Sequence, residues 1–138
     1  AGMECLRCAP GSELITHPAL ANSTGLVSDT GAVQTTDGTA TSAWTKSLPD
    51  DTVITIQAVI SGRDTSGTDR ASYIVEAQAH REGGGSATLT DIQAAYTSET
   101  DSAWAGTFTV SGNDLRVTVT GASVTVNWSV AIRYIGSE

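Results

Sequence analysis

Ser123–Ile135 reads SVTVNWSVAIRYI, and its apolar residues recur at every second position. Val124, Val126, Trp128, Val130, Ile132 and Tyr134 share one phase, while Thr125, Asn127, Ser129 and Arg133 share the other. Successive side chains of a strand point to opposite faces, so this pattern describes a half-buried β-strand. Its end carries apolar residues in both phases, at Ala131, Ile132, Tyr134 and Ile135. Those four residues are expected to pack against a neighbouring subunit.

The same period extends backward along the chain. Thr52–Ile60 (TVITIQAVI) places Ile54, Ile56, Ala58 and Ile60 in one phase. Ala71–His80 places Tyr73, Val75, Ala77 and Ala79 inward and Glu76, Gln78 and His80 outward, with Ile74 breaking the alternation. Trp104–Val110 and Leu115–Val119 alternate likewise. Weaker strands are expected at Ala32–Thr36, Ser42–Ser47 and Ala87–Thr97, the last with a helical turn near Asp91–Tyr96 as the alternative. Turn chemistry separates them: Pro49-Asp50-Asp51, the polar run Ser61–Arg70, Gly83-Gly84-Gly85, Ser98–Ser102, and Ser111-Gly112-Asn113-Asp114. Leu115–Val119 and Val124–Val130, flanking a short turn at Gly121, are expected to form a hairpin.

About seven to nine short strands at this spacing imply an all-β protein, an antiparallel β-sandwich or jelly roll. Residues 1–31 read differently. They hold both cysteines, Pro10 and Pro18, and no sustained alternation. They are expected to form an extended N-terminal arm, with a short helical turn around Ser12–Ile15, ahead of a β-sandwich domain at 32–138.

Composition narrows the partners. The chain has 138 residues, of which 39% are hydrophobic and 16% charged, enough apolar content for one self-sufficient core. Seven basic and fifteen acidic residues give a net charge of −8. The arginines are scattered, so no basic patch is available to release counterions from phosphate, and nucleic acid is excluded as a partner. No apolar run has the length of a membrane-spanning helix, and no leader segment is read.

Five groups of residues have the chemistry of a candidate site. Cys5-Leu6-Arg7-Cys8 has the spacing of half a zinc site or a redox pair, but only His17 lies nearby in sequence, and zinc takes four ligands. A serine hydrolase would have only His17 or His80 as base, and no G-x-S-x-G elbow occurs. The acidic pairs Asp50-Asp51, Asp64/Asp69 and Glu99/Asp101 sit in turns, where carboxylates cap their own backbone. Gly62–Asp69 (GRDTSGTD) offers oxygen ligands without EF-hand spacing. Trp104 and Trp128 are in phase with core residues, whereas Trp44 lies among Thr, Ser and Lys. Trp44 is the tryptophan expected to be exposed and to contact a ligand such as a glycan. No catalytic, metal or cofactor residue is assigned.

From Thr36 to Tyr134 the chain resembles a domain recurrent in structural proteins of tailed bacteriophages. The resemblance is carried by Gly62–Leu89 (GRDTSGTDRASYIVEAQAHREGGGSATL) and Glu99–Ile135 (ETDSAWAGTFTVSGNDLRVTVTGASVTVNWSVAIRYI). The motifs are the leading VITIQAVISGR, the Gly-rich turn before ATL, V-x-V-T-G, and Asn127-Trp128 on the last strand. It implies a non-enzymatic virion structural protein: a capsid decoration, head or tail fibre, or tail-associated subunit. Its implied partners are other virion proteins and further copies of itself, a trimer being favoured. The alternative is a receptor- or glycan-binding module of a phage fibre or bacterial surface protein, recognising a host surface glycan.

Overall fold

The period-two segments become eight strands in the computed structural model, which describes residues 23–137. They are β1 (Ser23–Thr35), β2 (Thr41–Ser47), β3 (Thr52–Asp64), β4 (Arg70–Arg81), β5 (Thr88–Glu99), β6 (Ala105–Ser111), β7 (Asp114–Thr120) and β8 (Val126–Ser137). Every pairing is antiparallel. A five-stranded sheet runs in the order β1-β8-β3-β4-β5, and a three-stranded sheet runs β2-β7-β6. Together they make the expected all-β sandwich. Residues 1–22 of the expected arm, which include Cys5, Cys8, His17 and the stretch Ser12–Ile15 where a helical turn is expected, lie outside the described residues. β1 opens at Ser23, so the division drawn after Gly31 falls inside a strand.

The core collects the inward phase of both sheets. From β3 come Ile54, Ile56, Ala58 and Ile60, and from β8 come Val126, Trp128, Val130 and Ile132. The smaller sheet answers with Phe108 and with Leu115, Val117 and Val119, and Trp104 closes one side. Such side chains each contribute roughly 1.5–3 kcal/mol on burial, which is the main force holding the two layers together.

Trp128 is the centrepiece. Its ring lies 5.6 Å from that of Trp104, and its Nε1–H donates to Thr35 Oγ1 at 3.0 Å, tying β8 to the end of β1. The ring occupies space left by Gly62, its register partner on β3. A Cβ at Gly62 would sit 2.5 Å from Trp128 Cζ3.

One expected pairing is corrected. β7 does not form a hairpin with β8. It pairs with β6 and β2, and the chain crosses between sheets after Thr120. The tight turn is instead Gly112-Asn113 between β6 and β7, with Gly112 at φ 58°. Gly121 is buried at the crossing, where a Cβ would lie 2.8 Å from Thr35 Oγ1 and 3.2 Å from Val126 Cγ2. The physical reason is that the apolar faces of β7 and β8 bury more surface stacked across the core than side by side in one sheet. Residues 91–96, where a helical turn was the alternative, belong to β5. There Asp91 adopts φ 55° beside the register shifts against β4.

Candidate interaction surface

Trp44 is not exposed. A bulge between Ser42 and Trp44 in the β2–β7 pairing turns both Ala43 and Trp44 inward, and Trp44 retains 7% exposure. A strand without the bulge would send one of the two outward. The indole Nε1–H donates to Asp29 Oδ2 at 2.9 Å. That bond and the backbone N–H of Thr30 hold the Asp29 carboxyl below its ordinary range, against a smaller opposing effect of burial. The Trp44 ring lies 6.4 Å from Tyr134, and Lys46 Nζ sits 5.3 Å from the centre of the Tyr134 ring. Trp44 therefore packs the flank between the two sheets and presents no open stacking face to a glycan.

The end of β8 is likewise divided by its alternation. Ile132 is in the core at 1% exposure, and Tyr134 is half-buried against Trp44. Only Ala131 and Ile135 face outward, so the four residues do not form one surface. Apolar side chains in both phases of a strand simply serve both faces of the sheet.

The outer face of the five-stranded sheet is where exposed functional groups gather. Across its middle, Arg133 Nη2 donates to Gln57 Oε1 at 3.2 Å, and Gln57 Nε2 donates to Glu76 Oε2 at 3.0 Å. Beside this row runs an open groove of about 430 Å³ whose lining includes Leu26, Thr55, Gln57, Glu76 and Ile135. Leu26, Val53, Val59 and Ile135 all expose large apolar surface on this face. Single exposed hydrophobes are ordinary, and four on one sheet face make that face the candidate contact surface. Periodicity named Ala131 and Ile135. It did not single out Val59, Glu76 or Arg133, because they become one surface only through the register of β8, β3 and β4.

The turn acids act as caps. Asp64 is buried, and its Oδ1 accepts from the Ser66 backbone N–H at 3.0 Å and from Ser66 Oγ at 3.3 Å. Asp69 accepts from Thr100 Oγ1 at 2.9 Å. Asp50 accepts from the Gly84 N–H at 2.9 Å, and Asp101 from the Ala103 N–H at 2.9 Å. Gly62–Asp69 thus uses Asp64 to close its own loop and Asp69 to tie that loop to Thr100, and among the described residues no three His, Cys, Asp or Glu side chains group in a way that could hold a metal ion. His80 lies half-buried, and its Nδ1 has no hydrogen-bond partner among the described residues.

A contact that periodicity did not foresee joins Tyr73 and Glu99. The Tyr73 hydroxyl donates to Glu99 Oε2 at 2.5 Å, across the β4–β5 pair. Burial, then the Glu99 carboxylate, and then the charge of Asp101 push the phenol pKa well above its usual 10.0. A phenol whose folded pKa is raised stabilises the fold fully below pH 10, and that contribution is lost as pH rises toward the folded value. We expect unfolding free energy to fall above pH 10, and Tyr73→Phe to remove part of that slope. Urea titrations at several alkaline pH values, with phenolate absorbance followed in parallel, check both. The signal in the sequence was a tyrosine in the inward phase of β4, since a buried hydroxyl requires a partner.

The fold is a two-sheet antiparallel sandwich with an open groove on its outer face. No protein-family model matches the sequence, and no curated protein matches it. Among solved structures it is similar to part of the tailspike protein gp49 of Acinetobacter baumannii bacteriophage Fri1, a capsular polysaccharide depolymerase. That match has a TM-score of 0.54 at 13% identity and covers 94% of this chain and 20% of that one. The tailspike protein of Acinetobacter baumannii phage AM24 gives a TM-score of 0.48 at 9% identity, over 79% of this chain and 26% of that one. This chain thus spans a fifth to about a quarter of the length of those proteins. The likeness to the Fri1 protein is one of fold.

Proposed function

We propose that this chain is a non-enzymatic structural unit of a phage tail-associated protein of the tailspike kind, carried in the virion as a homo-oligomer among other virion proteins. The single observation that carries this reading is the fold likeness to the Fri1 tailspike over nearly the whole chain. The sequence resemblance to tailed-phage structural proteins points the same way. Among tail-associated, head-fibre and capsid-decoration roles, the tailspike likeness favours the first. The Fri1 protein is a depolymerase, but this chain matches only a fifth of it. Asp50, Asp64 and Asp101 accept from turn backbone N–H groups, and Asp69 accepts from the Thr100 hydroxyl. Glycoside hydrolysis needs two carboxyl groups flanking one bond.

An antibody raised against the chain is expected to label the tails of purified particles of its phage in electron microscopy. Label confined to the head, or none, would refute the reading. Incubation of the chain with capsular polysaccharide is expected to release no new reducing ends, and release would overturn the non-enzymatic part. A second reading, glycan binding without cleavage, is favoured by the groove beside Gln57 and Glu76. It predicts retention on immobilised capsular polysaccharide that Gln57→Ala abolishes and Trp44→Phe leaves intact.

A further inference from the structure

We propose that the tip of the β3–β4 hairpin is a binding site for an acidic saccharide, with Arg63 and Arg70 taking its carboxylate. This goes beyond the readings above, which leave that end of the outer face unassigned, and it stands whether or not the groove beside Gln57 takes a glycan.

Register brings the two arginines together. Arg63 on β3 is the partner of Arg70 on β4, and both side chains are exposed on the outer face of the five-stranded sheet. Like charges set opposite each other on neighbouring strands repel. The chain has fifteen acidic residues, yet among the described residues neither guanidinium forms an ion pair. Arg70 Nη1 donates to the Thr68 carbonyl at 3.2 Å, and Arg63 has no hydrogen-bond partner among the described residues. Two forks of charged donors therefore stand side by side with most of their N–H groups open. A carboxylate that bridges them relieves the repulsion and accepts charge-assisted hydrogen bonds from both.

The pair lines a hollow of about 290 Å³ together with Ser61, Gly67, Thr68 and Ser72. Backbone bonds hold that hollow in shape. The Asp64 N–H donates to the Asp69 carbonyl at 3.0 Å, and the Thr65 N–H donates to the Thr125 carbonyl at 3.0 Å. Asp64 packs so closely against Gly67 that no Cβ would fit between them. A site fixed before binding loses less freedom when it is filled.

The surroundings suit a saccharide. Ser61 and Ser72 are register partners, and their row continues to Ser129 on β8 and Ser98 on β5. All four are exposed. Small hydroxyls therefore floor the face beside the arginines, and each can donate and accept as sugar hydroxyls require. The row beyond places Tyr96 on β5, 52% exposed. Rows on one face lie roughly 6.8 Å apart, which sets Tyr96 on the order of 14 Å along the strands from the arginine pair. Its amphipathic ring can cover the apolar face of a sugar. Acid capture at one end, hydroxyls between and a ring at the other match an oligosaccharide that carries a carboxylate. A nucleic acid would need a longer basic stripe.

Titration of the 138-residue chain with tetragalacturonate, followed by amide NMR shifts, tests this. The expected result is saturable binding with shifts at Ser61–Ser72 and Ser98. Affinity should fall as salt is raised, because the site is exposed. The methyl ester of the same tetramer, which lacks the charge, should not bind. Arg63→Gln and Arg70→Gln are each expected to weaken binding about ten-fold, the worth of one charge-assisted hydrogen bond. Tyr96→Ala is expected to weaken it about three-fold. Arg63 faces a like charge and has no partner among the described residues, so Arg63→Gln should leave the urea midpoint unchanged or raise it. A lowered midpoint would make Arg63 a structural residue and overturn the proposal. So would the absence of saturable binding, equal binding of the methyl ester, shifts centred on Gln57 and Glu76, or an Arg63→Gln variant that binds as tightly as the parent. Tighter binding of a hexaglutamate peptide would assign the pair to an acidic protein segment instead. The titration does not depend on where a particle carries the chain, so tail labelling can fail while the site stands.

Discussion

Trp128→Ala is expected to lower the unfolding free energy by about 3–5 kcal/mol, the range for deleting a buried large aromatic side chain. Three losses combine in it. The ring contact with Trp104 disappears. A cavity opens near the start of β8, between Gly62 and the opposite sheet, and close-packed neighbours refill it only in part. Thr35, buried at 3% exposure, also loses the indole N–H as its donor. An orphaned buried hydroxyl adds roughly 1–3 kcal/mol to such a deletion. Urea denaturation followed by circular dichroism measures this directly. A loss below about 1 kcal/mol would show that Trp128 is not the keystone described here.

Gly62→Ala is expected to cost about 1–3 kcal/mol although it adds a single methyl group. The added Cβ would fall 2.5, 2.6 and 2.9 Å from three atoms of the Trp128 six-membered ring. None of these atoms is the free end of a flexible side chain, so the indole as a whole must shift against Trp104 and the smaller sheet. The prediction has a sharper form. In a Trp128→Leu background the obstructing ring is absent, and the cost of Gly62→Ala should fall to a few tenths of a kcal/mol or change sign. A double-mutant cycle isolates that coupling, which for residues in contact is typically 0.5–3 kcal/mol. Additive effects would mean that the ring relaxes freely and that Gly62 has another role. Gly62 lies in VITIQAVISGR, the stretch that carries the phage resemblance. Its pairing with Trp128 of the Asn127-Trp128 motif gives two separate parts of that resemblance one physical cause.

The outer face marks where alternation stops being informative. Core residues such as Ile56 and Val117 are read from alternation because burial and phase are the same fact in a strand. The row Arg133–Gln57–Glu76 cannot be read that way. Its members lie 57 and 19 positions apart along the chain if taken from Glu76, and only the antiparallel registers of β8, β3 and β4 bring them together. Tyr73 and Glu99 are joined by the same route, through the pairing of β4 with β5.

By itself the sequence determined that the protein is all-β, where most strands run, and which face of β3, β4, β7 and β8 is buried. These properties follow from local alternation and turn chemistry, and they brought Trp104, Trp128 and the inward phase of Ser123–Ile135 into the core. Tertiary structure alone decided which strands share a sheet. Gly121 looked like a hairpin turn and is instead the crossing between layers, because β7 and β8 bury more surface face to face than edge to edge. It also decided the place of Trp44, where one extra residue in β2 reverses the phase on which exposure was judged. Last, it sorted the end of β8: Ile132 and Tyr134 serve the interior, while Ala131 and Ile135 belong to an outer surface whose pattern exists only once five strands lie in register.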